Sequence, residues 1–183
     1  MVLVTPPHSP SRATGQIEKL LVELGHPQLP ELDEEQDALA EQHDELFEEI
    51  AAFARRGWAY RFDAESGMDY TPREYELVLG EILRPLGVSE VELDDRACIL
   101  HVDARKIHVQ APEQDDDWLD VGWIFETANL AVSETGWLLL GIDDADMHEV
   151  IVGVVPHEVW TAMTERKLTG SWRAMKPVET LFN

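Results

Sequence analysis

Apolar residues recur along this chain with two different periods, and glycines and prolines mark where one gives way to the other. Ile17, Leu20, Leu21 and Leu24 fall at helical spacing, and Gly25 ends the run. Between Glu31 and Arg56, Leu39, Leu46, Phe47, Ile50 and Ala54 make one stripe, with His43 on the same side. That pattern predicts a single long helix. Asp33, Glu34 and Glu35 occupy its first turn, Arg55 and Arg56 its last, and Gly57 follows, so the charges agree with the helix dipole. Trp58, Tyr60 and Phe62 then alternate with Ala59 and Arg61, the period of an extended strand.

The second half repeats one order of elements. Thr71-Pro72-Arg73-Glu74 combines a cap, a first-turn proline and a capping-box glutamate. The stripe Tyr75, Val78, Leu79, Ile82, Leu83 and Leu86 runs to Gly87. Val91 and Leu93 alternate with acids, Ala97 to Val102 reads as a fuller strand, and Asp103 to Lys106 as a hairpin turn before Ile107 and Val109. A second helix is predicted by Val121, Ile124, Phe125, Ala128, Ala131 and Val132. One of Asp115, Asp116 and Asp117 is placed to cap it, and the others suit the positive end of its dipole. Trp137 to Ile142 (WLLLGI) and Val150 to Val155 (VIVGVV) are apolar strands around the acidic turn Asp143-Asp144-Ala145-Asp146. Pro156-His157-Glu158 opens a last helix, and Trp172, Met175, Leu181 and Phe182 make the remainder a packing segment.

Two helix-strand-strand units, about 71–111 and 115–155, favour antiparallel hairpins because each strand pair is close in sequence. The expected fold is α+β: a two-layer domain with one mainly antiparallel sheet, helices on one face, and additional N-terminal helices. Residues 1–14, rich in Pro and Ser, read as a flexible arm, 15–57 as a helical segment and 58–183 as the α+β domain, with one continuous domain over 15–183 as the alternative.

Charge changes this picture more than size does. The chain has 183 residues and an ordinary 44 % of apolar ones, but 37 acids face 14 bases, a formal charge of -23. Such a chain is repelled by nucleic acids and anionic membranes and attracts basic proteins or divalent metals. The same acidity also serves plain solubility. Cys98 stands alone, so neither an internal disulfide nor a thiolate cluster forms within one chain. Met1-Val2-Leu3-Val4 leads directly into Thr5-Pro6-Pro7 without the apolar stretch of a secretory signal, and no run reaches the ~18 apolar residues of a membrane span. A cytoplasmic protein is expected.

Candidate chemistry is sparse. Neither GxGxxG, GxxxxGK[ST] nor GxSxG occurs, and His148-Glu149 and His157-Glu158 are not HExxH motifs. No catalytic residue and no cofactor is assigned. His101, Asp103 and His108 are the metal candidates: the first two share a strand face and the third lies across the hairpin. The competing reading makes them polar positions on a solvent face. Six tryptophans remain, of which Trp137 and Trp160 sit in apolar patterns. Trp118 and Trp123, with Asp115, Asp116, Asp117, Asp143, Asp144 and Asp146, form the candidate partner-binding set: rigid rings that anchor, acids that steer. The expected function is a non-enzymatic acidic binding protein for a basic protein partner. In charge and size alone it is similar to bacterial immunity proteins and antitoxins. A divalent-metal-dependent enzyme or metal-binding protein is the alternative. A scaffold subunit, homodimeric through the 31–56 helix, is the third reading.

Overall fold

The computed structural model describes residues 15–44, 47–64, 72–94, 96–102, 105–112, 119–142 and 149–175. The N-terminal helices are α1 (Gln16–Glu23), α2 (Glu34–His43) and α3 (Glu48–Ala54). Strand β1 (Ala59–Asp63) and helix α4 (Pro72–Ile82) follow, then β2 (Val88–Leu93), β3 (Ala97–Val102) and β4 (Arg105–Gln110). Helix α5 (Val121–Val132), β5 (Trp137–Ile142), β6 (Glu149–Pro156), α6 (His157–Glu165) and β7 (Trp172–Ala174) complete the chain. The fold is mixed α+β, and its strand pairings are antiparallel.

Where one sheet was expected, the strands form two: a four-stranded sheet in the order β1-β6-β5-β7 and a three-stranded sheet β2-β3-β4. The reason lies in side-chain periodicity. Strands β5 and β6 are continuously apolar because both faces of the larger sheet are covered. Leu139, Val152 and Val154 join one core with α4, α5 and the inner face of the small sheet, through Leu79, Ile124 and Leu100. Leu140, Val155 and Trp172 join a second core with α1, α2, α3 and α6, through Leu20, Leu39, Phe53 and Val159. Helices therefore lie on both faces of the larger sheet. The small sheet alternates instead: Cys98, Leu100 and Val102 are buried, and the residues between them are only partly so.

Local chemistry sets the ends of these elements. Asp33 caps α2, its carboxylate accepting from the Gln36 N–H at 2.9 Å. The predicted 31–56 helix breaks after His43, because the two halves have different surroundings. Helix α2 buries only Gln36, Leu39 and Ala40, whereas α3 is buried from Glu49 through Ala54. The cap of α5 is Asp120, which accepts from the Trp123 N–H at 2.8 Å. Asp115, Asp116 and Asp117 lie outside the described residues. At the other end, Arg105 reaches the Ala131 and Ser133 carbonyls at 2.7 and 3.1 Å and closes the helix C-terminus.

Two glycines are explained by distant contacts. Gly153 in β6 lies under the Trp172 indole, where a Cβ would sit 3.1 Å from the ring. Gly170, at φ +53°, packs on Glu49, which accepts from the Ser171 N–H at 3.0 Å. The free edge of β1 is also managed: its Ala59 carbonyl, turned away from β6, accepts from the buried Gln36 side chain at 2.8 Å. Among the described residues no helix is long and apolar enough to cross a membrane.

Candidate functional site

The small sheet presents an outer face built by strand register. In β2, Val91 and Leu93 turn toward the core and Glu90 and Glu92 away from it. A bulge makes this possible. Val88 pairs with Val102, but Glu90 pairs with His101, so one residue is extra on β2. Without it Glu90 would share the inward side of Val88. With it, Glu90 faces outward directly opposite His101, and Glu92 opposite Ile99. On the next strand Lys106 stands opposite His101 and His108 opposite Ile99.

The result is a convergence of three side chains. Ligand-capable atoms of Glu90, Glu92 and His101 lie within 4.8 Å of one another. His101 Nε2 is 3.6 Å from a Glu92 oxygen, with the imidazole 30 % and the carboxylate 52 % exposed. Of the predicted metal set, His101 is at the centre. His108 shares the face but belongs to the neighbouring row, and Asp103 lies outside the described residues. Glu90 and Glu92 were missed by sequence reasoning. Their signal was the alternation with Val91 and Leu93, which put both acids on one face; the bulged pairing to His101 was not readable.

Of the predicted partner-binding set, only Trp123 lies within the described residues. Its indole donates to the Gln110 carbonyl at 2.8 Å and meets the Tyr75 ring edge-on at 5.3 Å. The Tyr75 hydroxyl in turn accepts from the Asp120 N–H at 2.9 Å. Trp123 thus fastens the start of α5 to the end of β4. Trp118, Asp143, Asp144 and Asp146, like Asp115 to Asp117, lie outside the described residues.

Most of the described arginines are committed inside the molecule. Arg55 pairs with Asp44, Arg56 with Glu18, Arg61 with Glu149, Arg84 with Asp33 and Glu81, and Arg166 with Glu23. Arg105 and Arg173 donate to backbone carbonyls. The excess of carboxylates over bases, 37 against 14, sets the outward field. Half-buried His43 lies near Arg61, Glu49 and Glu149; burial and Arg61 hold its imidazole below the ordinary value against the pull of the two acids.

Fold and surface together define an acidic α+β protein of two antiparallel sheets with a carboxylate–imidazole cluster on its smaller sheet. No protein-family model, no curated protein and no solved structure matches the chain.

Proposed function

We propose that this chain is a non-enzymatic binding protein that engages a basic protein partner through its acidic surface. The observation that carries the reading is the formal charge of -23, the excess of acids that remains after every lysine and arginine has been counted. A field of this sign accelerates the approach of a cationic protein and turns away nucleic acids and anionic membranes. Asp115, Asp116 and Asp117 beside Trp118, and the acidic run at Asp143, Asp144 and Asp146, are the proposed contact residues: acids for steering, a rigid ring for anchorage. A cytoplasmic setting and a neutralising role, of the immunity or antitoxin kind, belong to the same reading.

A pull-down from lysate of the source cell, at low and then high salt, tests it. The expected result is one basic protein, released as salt rises and not captured by an Asp115/Asp116/Asp117→Asn variant. An empty pull-down at low salt, or capture indifferent to both salt and the variant, overturns the proposal and leaves the acidity as a solubility device.

A further inference from the structure

We infer that Glu90, Glu92 and His101 form a binding site for one divalent cation, of which zinc is the best match. The inference is independent of the basic-partner reading, since it uses different residues.

Three features carry it. First, the three side chains come from two paired strands whose register fixes their bases. His101 is directly opposite Glu90, and Glu92 is the next outward residue. Second, their donor atoms already lie within 4.8 Å of one another. Ligands at about 2.1 Å from one ion stand roughly 3.0 to 3.4 Å apart, so closure needs a shift of about 1.5 Å. The glutamate side chains are exposed and rotate freely enough to supply it. Third, the donor set is chemically coherent. One imidazole and two carboxylates suit zinc and manganese better than calcium or magnesium, which prefer oxygen alone. Three protein ligands also leave a coordination position open to water.

The electrostatics point the same way. Two like carboxylates on adjacent outward positions repel each other, and a divalent ion between them reverses that term. Lys106, across the sheet from His101, opposes it. Its ammonium is on a long exposed stem, so it weakens the site without blocking it. The bulge between Val88 and Glu90 gains a reason here, because it turns both acids onto the histidine face.

The test is calorimetric titration of the full chain, stripped with chelator, with Zn²⁺, Mn²⁺ and Mg²⁺ as separate probes in buffer holding enough salt to mask diffuse attraction by the acidic surface. The expected result is one saturable Zn²⁺ per chain, weaker Mn²⁺ and no saturable Mg²⁺. His101→Ala and Glu92→Gln should each weaken Zn²⁺ at least tenfold, and Glu90→Gln should do the same. Lys106→Gln should tighten it by about two- to threefold, the effect of removing a screened charge nearby. The urea midpoints of these variants show that each is folded, as expected for substitutions at partly or fully exposed positions. Absence of saturable Zn²⁺ binding overturns the inference and leaves a 3.6 Å contact between His101 and Glu92. One-to-one binding unchanged by all three substitutions overturns it too, by placing the ion elsewhere.

Discussion

Arg56 is the charge whose removal should hurt this fold most. Its residue surface is only 5 % exposed. The guanidinium binds Glu18 through two hydrogen bonds, of 2.7 and 3.1 Å, and donates to the Ala52 and His26 carbonyls at 2.7 and 2.8 Å. One side chain thus joins α1, the loop after it and the end of α3. Arg56→Met removes all four bonds and strands a carboxylate that is three-quarters buried. Breaking a buried pair by removing one partner costs about 3–5 kcal/mol. Glu18 keeps some contact with water, so the lower end applies, about 3 kcal/mol. Urea unfolding would show this as a fall in midpoint at unchanged slope. Two controls separate the pair from the net charge. Arg166→Met changes the charge equally, but its pair with Glu23 is more than half exposed on both sides, so it should lose under ~1 kcal/mol. The double variant Arg56→Met/Glu18→Leu should recover part of the loss, because an apolar pair leaves no charge stranded while the Ala52 and His26 carbonyls still lack the guanidinium. A loss below ~1 kcal/mol for Arg56→Met, or a double variant less stable than the single, would refute the reasoning.

Further outcomes follow from neighbouring features. Burial raises the Glu18 carboxyl, but the hydrogen bonds and charge of Arg56, with smaller help from Gln28 and Arg55, outweigh it and hold the group below its ordinary value. Its stabilisation is therefore present above the unfolded-state value near pH ~4.3 and lost as pH falls through the lower folded value; the stability gap between wild type and Glu18→Gln should close over that range. Gly170→Ala should cost about 2 kcal/mol or more, since φ is +53° and the new Cβ would lie 2.0 Å from a Glu49 oxygen; an unchanged melting temperature would contradict this. Cys98 is fully buried, and desolvation with help from Glu76 pushes its thiol up to about 12. A thiol reagent at pH 8 should label it only as fast as the protein opens, and labelling at the rate of a free thiol would disprove the placement.

The elements were more legible in the sequence than their assembly. Helices α1, α4, α5 and α6 and the two hairpins follow from local period and punctuation. What failed was each inference that needed a distant partner. The stripe from Leu39 to Ala54 looks like one helix until α3 is seen to be buried all round. Asp120 caps α5 although three aspartates stand upstream, because the capping bond depends on the backbone at one position and not on local acid density. The contrast between the continuous WLLLGI and VIVGVV runs and the alternating Val91 and Leu93 held the two-sheet answer. It marks burial on both faces against burial on one, and one sheet cannot easily supply both. Gly153 had no local reason at all; its reason is a tryptophan that packs across the sheet. In the site, His101 was identifiable as a polar residue at an outward strand position. Its partners Glu90 and Glu92 depend on a one-residue bulge, which period-two reasoning cannot locate.

Leu139 and Leu140 are adjacent in the chain and belong to different cores. That division has a consequence during synthesis. The core on the N-terminal side is assembled from residues 17 to 59 and from 138 to 172, with most of the other core encoded between them. At roughly 5–20 residues per second, helices α1 to α3 wait on the order of ten seconds after they emerge before the strands that cover them exist. Throughout that interval Leu20, Leu39 and Phe53 have no sheet to rest on. A chain halted before Trp137 should therefore present apolar helical surface to any chaperone present, and completing the last forty or so residues should end that binding.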